Sequence, residues 1–232
     1  MEDIYTSVVI VAAGKGKRMN INQNKQFINI DGIPVLARSI LKFEKVENVN
    51  EIVVVVAQDE VDYCNENIIG KYNFKKVKKV IAGGVLRQNS VFNGLKECFE
   101  HTDIVLVHDG ARPFISTSVI ENVINETKLS KAVVVAVPVK DTIKAANSDL
   151  LINSTLDRSI LWAIQTPQAF DYKLLLEAHK KAIESRFNGT DDAMLVENIG
   201  NEVRIVPGDY YNIKVTTKED ILIANTFAID GL

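Results

Sequence analysis

The chain is poor in the residues that build redox and metal centres: it has two cysteines and three histidines in 232 residues. Cys64 and Cys98 each fall in a stretch that reads as helix and lack the paired spacing of a zinc or disulfide-exchange motif, which points to a reducing compartment. His101, His108 and His179 are too scattered to form a metal cluster. Long apolar runs are missing as well. The longest, at residues 8–13, 52–57 and 132–139, stop far short of the roughly 20 residues needed to cross a bilayer. Neither sign of charge dominates: 27 Lys+Arg stand against 30 Asp+Glu, a net charge of -3, which argues against a nucleic-acid-binding surface. Met1-Glu2-Asp3 is acidic where a secretory leader would be basic. The expectation is a cytoplasmic protein with neither membrane nor nucleic acid as partner.

What is present is ample material for a core, with 47% hydrophobic residues. Val- and Ile-rich runs recur at 7–12, 52–56, 77–82, 104–107, 132–137 and 203–206, mostly without polar alternation, as expected of strands covered on both faces. Helix-like stretches lie between them at 36–43, 61–68, 87–100 and 119–128, the third with Val91, Leu95 and Cys98 on one stripe and the fourth behind a Ser116 or Ser118 cap. This alternation predicts an α/β fold, a doubly wound and mostly parallel sheet whose ligands bind at the carboxyl ends of the strands. Residues 140–161 break the alternation and read as a protruding β-arm with a turn at 146–149. A helix at 172–185 follows, and Thr216-Thr217-Lys218-Glu219 reads as a capping box opening a last helix through Ile221, Leu222, Ala224 and Phe227. Trp162 is expected in the core, and Lys75 to Lys79 as a solvated strand entrance. With no repeat, low-complexity tract or linker, residues 1–232 read as one domain with an arm.

The first strand runs into Ala12-Ala13-Gly14-Lys15-Gly16-Lys17-Arg18-Met19, and Lys25 follows soon after. Two glycines let backbone N–H groups approach an anion, and the four cations make a polyphosphate the natural guest; a tight turn with solvated lysines is the plainer reading. The Walker pattern is absent, and Met19 stands where a dinucleotide fingerprint needs its third glycine. Asp31 lies at about the distance of a ribose ligand, but Asp31-Gly32 is a turn signal. Asp109, just past the strand at 104–107, offers a hard oxygen ligand for Mg²⁺ bridging nucleotide phosphates, or else a turn cap before Gly110. Arg112 beside it reads equally as a salt-bridge partner.

Ala12-Ala13-Gly14-x-Gly16-x-Arg18-Met19 with Lys25-Gln26 resembles the signature of the nucleotidyltransferases that activate sugar-like phosphates. Within them, the chain is most similar to the 2-C-methyl-D-erythritol 4-phosphate cytidylyltransferases. The likeness continues through Gly83-Gly84-x-x-Arg87-x-x-Ser90, His108-Asp109-Gly110-Ala111-Arg112-Pro113, Lys140-Asp141-Thr142, Asp157-Arg158-Ser159, Gln165-Thr166-Pro167-Gln168 and Asn212-Ile213-Lys214-Val215-Thr216. Two positions depart from the pattern: Asn24 replaces a proline, and Val85-Leu86 stands where an acidic residue is usual.

The resemblance implies a Rossmann-like nucleotidyltransferase fold and transfer of CMP from CTP to 2-C-methyl-D-erythritol 4-phosphate. The products are pyrophosphate and 4-diphosphocytidyl-2-C-methyl-D-erythritol, on the non-mevalonate route to isoprenoid precursors. It implies a nucleotide site of Ala12, Ala13, Gly14, Gly16, Arg18, Lys25, Gly83, Arg87, Ser90 and Asp109, with Asp109 on Mg²⁺. It also implies a phosphorylated polyol held by Thr142, Arg158, Thr166, Thr190 and Lys214, catalysis by Arg18, Lys25 and Lys214, and a homodimer made through the arm. Read as residues alone, several have plainer roles: Arg87 and Ser90 as a surface arginine and a cap, Arg158 as a surface charge, Thr142 as a strand former, Lys214 as a solvated strand end, and Thr190-Asp191-Asp192 as a helix N-cap with acidic first-turn residues. A ribitol 5-phosphate cytidylyltransferase is the nearest alternative enzyme, and a non-catalytic nucleotide-binding regulator the alternative of another class. No Ser/His/Asp or Cys/His constellation is present, and phosphate transfer needs none, because a phosphate monoester with a second pKa of about 6 is already a nucleophilic dianion at neutral pH.

Overall fold

The computed structural model describes residues 4–14, 25–229 and 231. In chain order the elements are β1 (Thr6–Val11), β2 (Asn29–Ile30), β3 (Ile33–Pro34), α1 (Val35–Glu44), β4 (Glu51–Val56), α2 (Val61–Cys64), β5 (Val77–Ala82), α3 (Arg87–Glu97), β6 (Ile104–Asp109), α4 (Thr117–Ser130), β7 (Ala132–Pro138), β8 (Lys144–Ala146), β9 (Ile152–Thr155), β10 (Trp162–Asp171), α5 (Tyr172–Ser185), α6 (Asp192–Asn198), β11 (Arg204–Pro207) and α7 (Lys218–Ile229). Seven strands form one sheet in the order β11-β7-β10-β6-β1-β4-β5. All run parallel except β10, which pairs antiparallel with both β6 and β7.

Both faces of this sheet are covered, which is why its strands read as unbroken apolar runs. Because side chains alternate along a strand, Val8 and Ile10 of β1 pack with Leu36, Ile40 and Phe43 of α1 on one face. Val9 lies on the other face with Val91 and Leu95 of α3 and with Leu175 and Ala178 of α5. At the edge, β5 exposes Lys78 and Lys79, charges that discourage a further strand from adding there.

The expected strands all form, within one or two residues of the expected bounds, and β8 and β9 make the arm's antiparallel hairpin. The sequence reading lacks the short pair β2–β3 and, in the main sheet, β10, which lies in its middle. Its Gln165-Thr166-Pro167-Gln168 is polar and contains a proline, both unusual in a central strand. The register with β7 shifts between Ile164 and Gln168, so the ladder is interrupted where Pro167 has no N–H to give.

Smaller corrections concern ends and burial. α3 stops at Glu97 with Cys98 as its cap, and the helix begun by α2 continues from Asn65 to Gly70 as a π-turn. Ser116 caps α4 by accepting from the Val119 N–H. The capping box of α7 lies one residue later than expected: the Thr217 hydroxyl accepts from the Asp220 N–H, and the Asp220 carboxylate accepts from Thr216 and Thr217. Trp162 is 38% exposed rather than buried, because β10 begins where the sheet runs out into the arm. Leu222 of α7 is also exposed, so the last helix buries a narrower face than its apolar sequence suggests, chiefly Ala224 with Ile221 and Phe227. Among the described residues no helix is long and apolar enough to cross a membrane, and Cys64 and Cys98 are buried free thiols.

Candidate active site

After β1 the chain adds β4 and β5 on one side and then β6 on the other, so the order of strands reverses between β1 and β6. A crevice opens at such a reversal, outside the carboxyl ends of the strands. Here it is lined by Ala12, Ala13 and Gly14 after β1, Gly84 to Arg87 after β5, Asp109 and Ala111 at the end of β6, together with Gln26, Ser90 and Lys214. The strand ladder runs on into these turns: Ala12 N–H donates to Val55 O, Gly83 N–H to Val56 O and Gly110 N–H to Val11 O.

Gly83 is a requirement of close approach. A Cβ built on it would lie 2.5 Å from Ala13 Cβ and 2.7 Å from Ser90 Oγ. The buried Ser90 hydroxyl accepts from the Gly84 N–H at 3.0 Å and lies 3.2 Å from Leu86 O, holding the glycine turn against the start of α3. Ser90 therefore braces the glycine turn and lines the cleft without capping α3, whose N-cap is Leu86. Val85 is 98% exposed at the mouth, an apolar residue with none of the described residues over it.

Asp109 is the centre of charge. Its Oδ1 lies 3.3 Å from Arg87 Nε and its Oδ2 2.5 Å from Lys214 Nζ, while Arg87 Nη1 reaches Asp192 Oδ2 at 2.7 Å. Burial pushes the Asp109 carboxyl upward, but Arg87 and Lys214 outweigh it and hold the group well below the usual carboxylate range. Arg87 is thus no surface arginine, and Lys214 is no solvated strand end. Arg112 is not Asp109's salt-bridge partner: its Nη1 donates to Asn212 O at 2.7 Å.

The position of Asp109 is set from β10. Its N–H donates to Thr166 Oγ1 at 3.0 Å, where the β6–β10 ladder has ended and a hydroxyl replaces the missing carbonyl. His108 Nε2 faces Arg112 O, which can only accept, so the ring proton sits on Nε2 and Nδ1 receives the Thr166 hydroxyl at 3.1 Å. Burial lowers the His108 pKa to about 4, which keeps Nδ1 an acceptor at neutral pH. Thr166 is 5% exposed and its one proton is committed to His108. The loop carrying Lys214 is tied to the same place, since buried Asn212 donates to Gln165 Oε1 and Thr166 O. Asn212, His108 and Gln165 were legible only as parts of a motif, because what they do depends on the bulge in β10.

The other expected residues lie apart from the cleft. Thr142 and Arg158 are exposed on the arm, where Arg158 Nη1 donates to Lys140 O. Thr190 is exposed beside Met194, and the cap of α6 is Asp191, whose carboxylate accepts from the Met194 N–H. Gly16 and Arg18 lie outside the described residues, as does the side chain of Lys25, whose backbone belongs to a 3₁₀ turn, Lys25–Phe27.

The cleft and its ion pairs sit within a chain that has close relatives throughout its length. Residues 6–229 match the family described as 2-C-methyl-D-erythritol 4-phosphate cytidylyltransferase. A protein of that name from Caldanaerobacter subterraneus subsp. tengcongensis is 48% identical over 221 residues, 95% of this chain and 97% of the relative. Another, from Alkaliphilus metalliredigens, is 52% identical over 217 residues, 94% of this chain and 90% of the relative. Among solved structures, the 4-diphosphocytidyl-2C-methyl-D-erythritol synthase of Anaerococcus prevotii superposes with a TM-score of 0.87 at 36% identity, covering 98% of this chain and 97% of that one. With the family pattern running from β1 to the end of α7 and the fold shared with its solved members, this chain belongs to the 2-C-methyl-D-erythritol 4-phosphate cytidylyltransferase family.

Proposed function

We propose that the protein transfers CMP from CTP to 2-C-methyl-D-erythritol 4-phosphate, releasing pyrophosphate. The observation that carries this reading is the ionised Asp109 between Arg87 and Lys214, facing a glycine turn at the reversal of the sheet. The acceptor's phosphate oxygen attacks the α-phosphorus of CTP in line, and the protein needs no general base. Its contribution is to hold two polyanions in place and to balance charge on the α-phosphate and the leaving group. Gly14, Gly83 and Ser90 shape the nucleotide side, Ala12 and Ala13 the turn beneath it, and Arg87 offers donors from the start of α3. Lys214 sits where it can serve either phosphate. Gly16, Arg18 and Lys25 complete the phosphate side of this proposal from the residues that follow β1.

Magnesium fits the donor set in one way. Mg²⁺ at phosphate-transfer sites takes one or two carboxylates and otherwise substrate oxygens and water. Among the described residues no group of three or more His, Cys, Asp or Glu is placed to cage a metal, and Asp109 is the ionised carboxylate at the cleft. Asp109 would hold a Mg²⁺ that arrives with the triphosphate, and the ion when bound supplies neutralising charge to the phosphate oxygens.

For the acceptor, Thr142 and Arg158 belong to an arm that does not line its own cleft. That arm exposes Leu150, Leu151, Ile152 and Ile160, an apolar display unusual for a surface. Both facts support a homodimer in which the arm covers apolar surface on a partner and brings Thr142 and Arg158 to the partner's cleft, with Thr190 beside the acceptor and Thr166 acting from beneath through Asp109.

The deciding experiment is pyrophosphate release from CTP with 2-C-methyl-D-erythritol 4-phosphate and with ribitol 5-phosphate, each with and without Mg²⁺. Release with the first acceptor and with Mg²⁺ alone is expected; preference for ribitol 5-phosphate would move the protein to that reaction, and CTP binding without turnover would make it a regulator. Lys25→Ala is expected to lower kcat at least about 10²-fold, the scale of a lost preorganised charge contact, and an unchanged kcat removes Lys25 from the mechanism.

A further inference from the structure

Arg87 has one partner that the proposed reaction does not account for. Asp192, the first residue of α6, is 1% exposed, and its carboxylate accepts from Arg87 Nη1 at 2.7 Å and from His179 Nε2 at 3.1 Å. An acidic residue in a helix's first turn needs no burial, because the favourable interaction with the helix is available at the surface. Burying it removes its water, and only specific partners restore what is lost. Those partners come from two other helices, α3 and α5.

The surroundings hold this carboxylate in one place. Gln168 Oε1 at the end of the β10 bulge accepts from both the Asp192 and the Ala193 N–H at 3.1 Å, while Gln168 Nε2 donates to the capping Asp191. His179 is fully buried and stacks on Phe92 of α3, with ring centroids 5.9 Å apart. Its Nδ1 has no partner among the described residues, so the ring's one polar contact is Asp192. A second link lies alongside: Gln88, next to Arg87, donates to Phe187 O and accepts from the Gly189 N–H. The start of α3 is thus fastened to the 187–192 segment by two consecutive side chains.

The consequence falls on Arg87. A guanidinium has five N–H donors in a rigid plane. One on Nε points to Asp109 and one on Nη1 to Asp192, which leaves three without a partner among the described residues, on a side chain that lines the cleft. Without the charge on Asp192, the fork would be free to turn both arms onto Asp109 in the favoured bidentate geometry and compete with Lys214 for it. We infer that Asp192, oriented by His179 and Gln168, is a positioning residue that holds Arg87 between two carboxylates, so that Arg87 presents its remaining donors to the nucleotide and leaves Asp109 open to Lys214.

The test rests on CTP being the nucleotide, and one arm of it does not. Asp192→Asn keeps the side chain's volume and an acceptor for His179. It is expected to raise the KM for CTP about tenfold, the scale of one charge-assisted hydrogen bond, with the KM for the phosphorylated acceptor unchanged. In an Arg87→Gln background the same substitution is expected to change nothing further. An unchanged KM for CTP, or a loss that persists in full without Arg87, overturns the inference, the latter by marking α6 as a structural support only. If Asp192→Asn does not fold, His179→Leu, which removes one donor from the carboxylate, is expected to raise the KM for CTP only where Arg87 is present, and no rise overturns the inference. In the protein without nucleotide, the ¹⁵N NMR signal of Arg87 Nε–H is expected to shift in Asp192→Asn, or in His179→Leu; an unmoved signal refutes the positioning role. Wild-type protein that does not use CTP refutes the proposed reaction, and the NMR comparison still decides the role of Asp192.

Discussion

His108 makes the cleft sensitive to acid, and the effect can be worked out in advance. Burial lowers its pKa from 6.5 to about 4, so between those values the unfolded chain binds a proton that the folded protein refuses. Stability contributed by the neutral ring is therefore full above about pH 6.5 and lost as pH falls toward 4. A difference of about 2.5 units at 1.36 kcal/mol each amounts to about 3 kcal/mol, of which about 2 kcal/mol is gone by pH 5. Asp109 does not blur this window. Its folded pKa is depressed, so its contribution persists down to about pH 4, the unfolded carboxylate's value, and fades only below it. The assay is urea unfolding of the wild type and of His108→Gln at pH 7, 6, 5 and 4.5. The variant loses the edge contact with Phe43 and the bond to Thr166, and is expected to be about 1–3 kcal/mol less stable at pH 7. On acidification it is expected to lose less than the wild type by about 2 kcal/mol at pH 5. Parallel losses in the two proteins would show that the ring is not held neutral, and the argument for Thr166 donating to Nδ1 would fall with it.

Three further outcomes are expected. Gly83→Ala places a methyl against Ala13 and the Ser90 hydroxyl, and should raise the KM for CTP at least about tenfold while leaving the melting temperature within a few degrees; a normal KM would remove the turn from the nucleotide site. Gly94→Ala drives a Cβ to 2.4 Å from Val9 Cγ1 and 3.1 Å from Val55 Cγ2 where α3 crosses β1 and β4, an overpacking that should cost about 1–3 kcal/mol in denaturant titration. Leu150→Glu with Ile152→Glu on the arm should convert a dimer to a monomer in sedimentation and abolish turnover without shifting the unfolding midpoint of the monomer; a dimer that survives both charges places the interface elsewhere.

Much of the sheet was legible because its physics is local. A strand covered on both faces reads as an apolar run, and β1, β4, β6 and β7 each do along their middles, with the buried polar residues Thr6, Ser7, Glu51, His108 and Asp109 confined to strand ends. β10 escaped because its middle is polar: Gln165, Thr166 and Gln168 are all buried, each satisfied by a partner far away in the chain. Polarity in a sequence reads as exposure, and only the fold reveals the distant group that makes burial tolerable. The same limit explains Asp192, which as a letter after Thr190-Asp191 reads as a helix start and in the folded chain faces Arg87 across 105 positions.

The amino-acid sequence alone determined the strand–helix alternation, the arm, the glycine- and lysine-rich stretch after β1 and the family to which the chain belongs, since each rests on residue types at short spacing. The tertiary structure decided which charges meet. Arg87, Asp109, Asp192 and Lys214 come from four separate stretches of chain, and a Coulombic contact depends on distance in space and on the water excluded around it, neither of which is written in residue order.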